Sequence, residues 1–219
     1  MRLEEPLKKT ADGIVFASMG MYFELLRNRR YIALVLLFSL IVLPHFSFIG
    51  SAADIYINRF GTTEQVFSYF FAFNALAIMA GSFLCSRIHK VIPARTLLSI
   101  SFLGLLISGI VMYLGILKGP WGLALPMAFA SFCFGLSRPG SNYLVLEQIE
   151  KGAGAASSLM IFLYFMMGAF AMWFISLDWA DTVHMLAMFM LFSGGTVLAV
   201  WLLVPDLSST EKKPAERGT

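Results

Sequence analysis

Apolar residues in this chain come in long unbroken runs, separated by short clusters of charge. No Lys, Arg, Asp or Glu interrupts Tyr31 to Ala53, a run of 23 residues. As a helix this run is about 34 Å long, enough to cross the hydrocarbon core of a bilayer. Further runs extend from Val66 to Cys85, Thr96 to Leu117, Gly119 to Ser137, Gly152 to Leu177 and Thr182 to Val204. The fourth can continue past Arg138-Pro139 toward Leu146. None alternates with the period of two that a barrel strand requires, so the expected architecture is an all-α membrane protein with six transmembrane helices. Ahead of the first run, Val15, Met19, Tyr22, Phe23 and Leu26 recur at helical spacing. This predicts an amphipathic helix, either lying on the membrane surface or binding a partner protein. The expected domains are 1–30 (a cytoplasmic segment with that helix), 31–204 (the membrane domain) and 205–219 (a cytoplasmic tail). The charged, proline-containing tail is expected to be disordered.

Composition agrees with this pattern. Apolar residues make up 58% of the 219 and charged residues only 13%, about half the charged share of a soluble domain. The net charge of +3 matters less than its placement. Thirteen Lys and Arg fall in the segments joined by the inner ends of the runs, and only Arg59 and Lys118 fall on the opposite side; Arg138 belongs to neither group. By the positive-inside bias both termini are expected in the cytoplasm, with the protein multi-pass in a bacterial inner membrane. The start of the chain lacks the apolar core and cleavage site of a signal peptide. No basic stripe with interleaved aromatics points to nucleic acid. Cys85 and Cys133 lie within apolar runs and read as small core residues, with no metal expected. No nucleophile–base pair or nucleotide-binding loop is present, so no enzyme is expected.

The candidate chemistry lies inside the runs. Pro44-His45 falls near the middle of the first, where an ionisable side chain is costly and marks a functional position. The alternative is a neutral His45 bonded to the carbonyl that Pro44 frees. Asn74 is either an interhelical hydrogen-bonding group or a pocket-lining one. Phe162, Tyr164, Phe165, Met166, Met167 and Phe170 form an aromatic and methionine cluster that could line a cavity or face lipid. The expected substrate-binding residues are His45, Asn74, Phe134 and Tyr164. Gly135 to Asn142 contains Pro139 and Gly140, and Gly152 to Ser158 contains Gly152 and Gly154. Proline loosens a helix and small residues let backbones approach, so these stretches suit either rocking helices or tight static packing. Gly81 precedes a short basic loop with Arg87 and Lys90, read as a gating loop or a topology anchor.

These stretches resemble a known family. Tyr22 to Tyr31 resembles the central-loop helix leading into span seven of Bcr/CflA-type drug efflux transporters of the major facilitator superfamily. Phe67 to Leu76 with Gly81-Ser82 resembles span eight, and Gly135 to Asn142 and Gly152 to Ser158 resemble spans ten and eleven. The resemblance runs from about Tyr22 to Val204 and implies one six-helix half of a major facilitator fold. It implies export of small hydrophobic or cationic compounds by proton antiport and alternating access, with the proton gradient as energy source and no cofactor. The loop from Arg87 to Arg95 resembles a reduced form of the family's cytoplasmic loop motif, without its acidic residue. Met1 falls within what resembles the central loop. The expected partners are therefore a small-molecule substrate, the lipid bilayer, and either a missing N-terminal half or a second copy of the chain. A non-transporting membrane subunit is the alternative.

Overall fold

A computed structural model describes residues 20–149 and 152–203. Val15, Met19, Lys151, Val204 and the segment 205–219 lie outside the described residues, and with them the expectations placed there. The helices are α1 (20–27), α2 (Arg29–Ser39), α3 (Val42–Ala53), α4 (Glu64–Ile88), α5 (Ala94–Tyr113), α6 (Gly119–Glu147), α7 (Ala153–Ile175) and α8 (Thr182–Leu203). A π-helical turn, Asp54–Arg59, prolongs α3. The stretch Arg29–Arg59 forms one span, and with α4 to α8 gives, among the described residues, six helices long and apolar enough to cross a membrane. No strand occurs among the described residues.

Proline chemistry explains where the first span opens and how α6 is held past Pro139. Pro44 has no N–H to give the Leu40 carbonyl, so the α-helical ladder opens between α2 and α3. The Leu43 N–H takes that carbonyl instead, at 3.2 Å, in a tighter turn. The same reasoning accounts for α6. Pro139 cannot donate to the Gly135 carbonyl, yet the helix runs on to Glu147. The Ser82 hydroxyl of α4 donates to the Gly135 carbonyl at 3.2 Å and satisfies the orphaned acceptor. The fourth span therefore continues beyond Ser137.

The first span is the most enclosed of the six and α4 the least. It packs against α7, α8 and α6, while α4 packs on α6, α6 on α5, and α5 on α8. Phe38, Phe102 and Trp201 from α2, α5 and α8 form an aromatic core, with ring centroids 5.9 to 6.1 Å apart. The Trp201 indole N–H donates to Ser99 at 3.1 Å. Tyr31 fastens α2 to α7 by donating to the Ala156 carbonyl at 2.6 Å. In α1, Leu25 is buried whereas Phe23 and Leu26 face outward.

Backbone contact is closest where α4 crosses α6. A Cβ on Gly81 would strike the Phe132 carbonyl, and one on Gly135 the Ile78 carbonyl. A second glycine pair, Gly109 and Gly194, does the same for α5 and α8, each meeting backbone of the opposite helix within 2.9 Å. Gly140 and Gly154 differ from the expectation of close approach: Gly140 makes only ordinary contact with the Leu98 side chain, and nothing lies within 4 Å of a Cβ on Gly154. Gly152 has a different use. Its φ of 81° places it in the left-handed region at the start of α7, where a side chain would be strained.

At the end of the bundle opposite Arg87 and Lys90, the first and last spans are clasped together. Arg59 donates two parallel hydrogen bonds to Asp181, at 2.6 and 2.9 Å. Asp181 also accepts from the His184 backbone N–H at 3.0 Å, capping α8. The guanidinium and the helix-end amide together hold the Asp181 carboxyl down at about 2, from an ordinary 3.8. A lowered carboxylate pKa means that this clasp stabilises fully above about 4 and is lost only as pH falls through about 2. The pair is half exposed, so its worth is at most about 1 kcal/mol. Thermal unfolding in detergent is expected to show a small deficit in Asp181→Asn that is constant from pH 7 to pH 5 and narrows below pH 3. A deficit that vanishes already at pH 5 would contradict the clasp.

Candidate functional site

Four spans deliver polar and aromatic side chains to one place near the middle of the bundle. His45 sits just past the opening in the first span and is 5% exposed. Its Nε2 is 3.1 Å from the Ser131 hydroxyl of α6. Ser131 in turn donates to Asn74 Oδ1 of α4 at 3.1 Å. Asn74 closes the relay by donating its amide to the Phe70 carbonyl at 3.1 Å. The Leu40 carbonyl freed by Pro44 is already taken by Leu43, so His45 bonds across the bundle to Ser131 and not to that carbonyl.

The other face of His45 is stacked on Phe134, with centroids 4.0 Å apart and planes 23° from parallel. One turn further along α6, the Arg138 guanidinium lies 5.3 Å from the Phe134 centroid and 4.2 Å from that of Tyr164 in α7. Cation–π attraction to two rings partly offsets the cost of a charge inside the span. No acidic side chain among the described residues forms an ion pair with Arg138. Several buried polar atoms here have no hydrogen-bond partner, His45 Nδ1, Arg138 Nη1 and Asn142 Oδ1 among them, and the Tyr164 hydroxyl has no acceptor for its proton.

The structure therefore brings His45, Asn74, Phe134 and Tyr164 into one cluster and adds Ser131 and Arg138. Ser131, Phe134, Arg138 and Asn142 follow one another at spacings of three, four and four on a single stripe of α6. Arg138 was the sequence signal for that stripe, the one charge inside the extended fourth run. Ser131 carried no signal, because serine recurs throughout these helices. Of the methionine and aromatic cluster in α7, only Tyr164 is buried, and Phe162, Phe165, Met166 and Phe170 face outward.

The residues expected to gate lie elsewhere. Gly81 and Gly135 form the α4–α6 crossing. Arg87 and Lys90 are exposed at the basic end, with Arg87 5.1 Å from the Phe83 ring. Pro139 and Gly140 line a cavity of about 440 Å³ between α4, α5 and α6, together with Cys85, Leu97, Leu136 and Tyr143. Cys85 and Cys133 are free and buried. No group of three or more His, Cys, Asp and Glu capable of holding a metal occurs among the described residues.

These features define a multi-pass helical membrane protein whose six apolar helices fit one half of a major facilitator fold. The comparisons with known proteins agree. The chain is 27% identical over 173 residues to the uncharacterised MFS-type transporter YdgK of Bacillus subtilis, a match covering 77% of this chain and 43% of the relative. It is 30% identical over 126 residues to the bicyclomycin resistance protein homolog of Haemophilus influenzae, covering 57% of this chain and 32% of that protein. The chain thus spans less than half the length of these relatives. No family model matches it.

Proposed function

We propose that the chain is one six-helix half of a drug exporter that works by proton antiport and alternating access. The observation that carries this reading is the convergence of four spans on one buried polar and aromatic cluster near the middle of the bundle. Substrate sites of such transporters lie near the bilayer midplane, at the interface between repeats. The similarity to an MFS-type transporter and a bicyclomycin resistance homolog supports the same reading. A second six-helix body would cover the open side, where α4 is the least enclosed span. That body is either an N-terminal half or another copy of this chain. The basic loops face the cytoplasm of a bacterium in this arrangement.

Within the cluster we assign the proton to His45, whose imidazole offers both a donor and an acceptor nitrogen. Arg138 occupies the faces of Phe134 and Tyr164 that a cationic substrate would need. Hydrophobic compounds are therefore favoured over cations.

Deleting the gene in the native host is expected to raise accumulation of hydrophobic dyes at least severalfold. A protonophore should give the same rise in the intact strain and no further rise in the deletion. Unchanged accumulation across a broad panel would remove the transport reading. A rise on deletion that the protonophore does not mimic would remove the antiport.

A further inference from the structure

We propose that Arg138 is the recognition point for a small apolar ligand bearing a carboxylate or a similar planar anion. The inference rests on the transport reading for the ligand's role as cargo and narrows its chemical class. Three observations carry it. The guanidinium lies within a membrane span with no acidic partner among the described residues. Its charge is met by two ring faces, Phe134 and Tyr164. Ring faces attract the cation but accept no N–H in the plane of the fork, and Nη1 is buried without an acceptor.

The neighbouring orphan groups complete the pattern. The Tyr164 hydroxyl is buried beside the guanidinium with no acceptor for its own proton, and Asn142 follows Arg138 by one turn of the same stripe with its own unpaired side-chain oxygen. A carboxylate accepts two parallel N–H bonds from an arginine fork, and a third from a tyrosine hydroxyl, while cancelling the buried charge. The amide of Asn142 can turn to offer its NH₂ to the same group. Phe134, which is only partly buried, would meet the ligand's apolar body. A cationic ligand would meet like charge at Arg138 and leave the same donors empty.

The experiment is equilibrium binding to the purified full chain in detergent, using 1-naphthoate, 1-naphthamide and 1-naphthylmethylammonium. These share one apolar body and differ in the head group. Naphthoate is expected to bind at least tenfold more tightly than either of the others. Arg138→Met should weaken naphthoate by tenfold or more and leave naphthamide within about twofold. Arg138→Lys should recover only part of the loss, because an ammonium lacks the fork. Should Arg138→Met lose its helical signal or its monodisperse profile, Tyr164→Phe provides the second variant, with a loss of a few fold expected for naphthoate alone. Equal binding of all three probes, or full naphthoate affinity in Arg138→Met, would overturn the proposal. So would no binding of naphthoate to the wild-type chain, the result expected if the anion belongs to a second protein body. Binding needs no transport. Naphthoate recognition at Arg138 alongside unchanged dye accumulation in the deletion strain would therefore uphold this site and reject the exporter.

Discussion

Gly81→Val is expected to leave almost no folded protein after extraction in mild detergent. A Cβ at this position would run into the Phe132 carbonyl, with the Leu136 N–H nitrogen 2.9 Å away. The obstacle is backbone, so no side-chain rotation relieves it and α4 must move off α6. Overpacking a close-packed interior costs about 1–3 kcal/mol where side chains can adjust. Here the upper end or beyond is expected, about 3 kcal/mol or more, a large part of a typical domain's whole stability. Separating the helices also lengthens the Ser82 bond to the Gly135 carbonyl, the acceptor that Pro139 leaves unsatisfied. Gly154→Val is the control, since open space surrounds that position. Size-exclusion profiles and thermal unfolding of the two variants provide the comparison. Wild-type behaviour in Gly81→Val would show that α4 and α6 do not cross as described.

Ser131→Leu is expected to have the second largest effect. Ser131 is 1% exposed and joins His45 to Asn74 through one hydroxyl. Leucine removes both bonds and inserts extra volume between three spans. Interhelical hydrogen bonds in membranes average below 1 kcal/mol and reach about 2. Ser131→Ala should therefore cost roughly 1–2 kcal/mol and Ser131→Leu about 3. The alanine variant should remain folded and, on the proposed exporter reading, should lose most of the export, because His45 is no longer anchored opposite Phe134. Unfolding midpoints and dye accumulation, measured on both variants, separate packing from function. Full export by Ser131→Ala would show that the His45–Ser131–Asn74 relay does not serve transport.

The cluster was only partly legible in the sequence. His45 and Asn74 stood out because a polar group inside hydrocarbon needs a partner. Phe134 and Tyr164 came forward as aromatics in the right spans. Ser131 did not, because its sequence neighbours are no different from those of Ser101 or Ser108, whose hydroxyls simply bond back to their own helices. Arg138 was visible as a charge, but nothing in one dimension placed it between two rings. The glycines divided in the same way. Gly81 and Gly135 meet backbone, and Gly154 meets nothing, although all three occur in comparable small-residue surroundings.

The sequence by itself determined the number and extent of the spans and the polarity of the loops. Hydrocarbon forces each crossing segment to satisfy its own backbone hydrogen bonds, so a helix is the only outcome for a long apolar run. It also marked the break between α2 and α3, since Pro44 removes an identifiable donor. Only the tertiary structure decided which faces meet: the Gly81 and Gly135 crossing, the Arg59–Asp181 clasp, and the seating of Arg138 against Phe134 and Tyr164. Helices that are apolar all round carry little facial pattern, and in lipid no hydrophobic force selects one face over another. Pairing is then set by shape and by scarce polar contacts, and these exist only once six helices stand side by side.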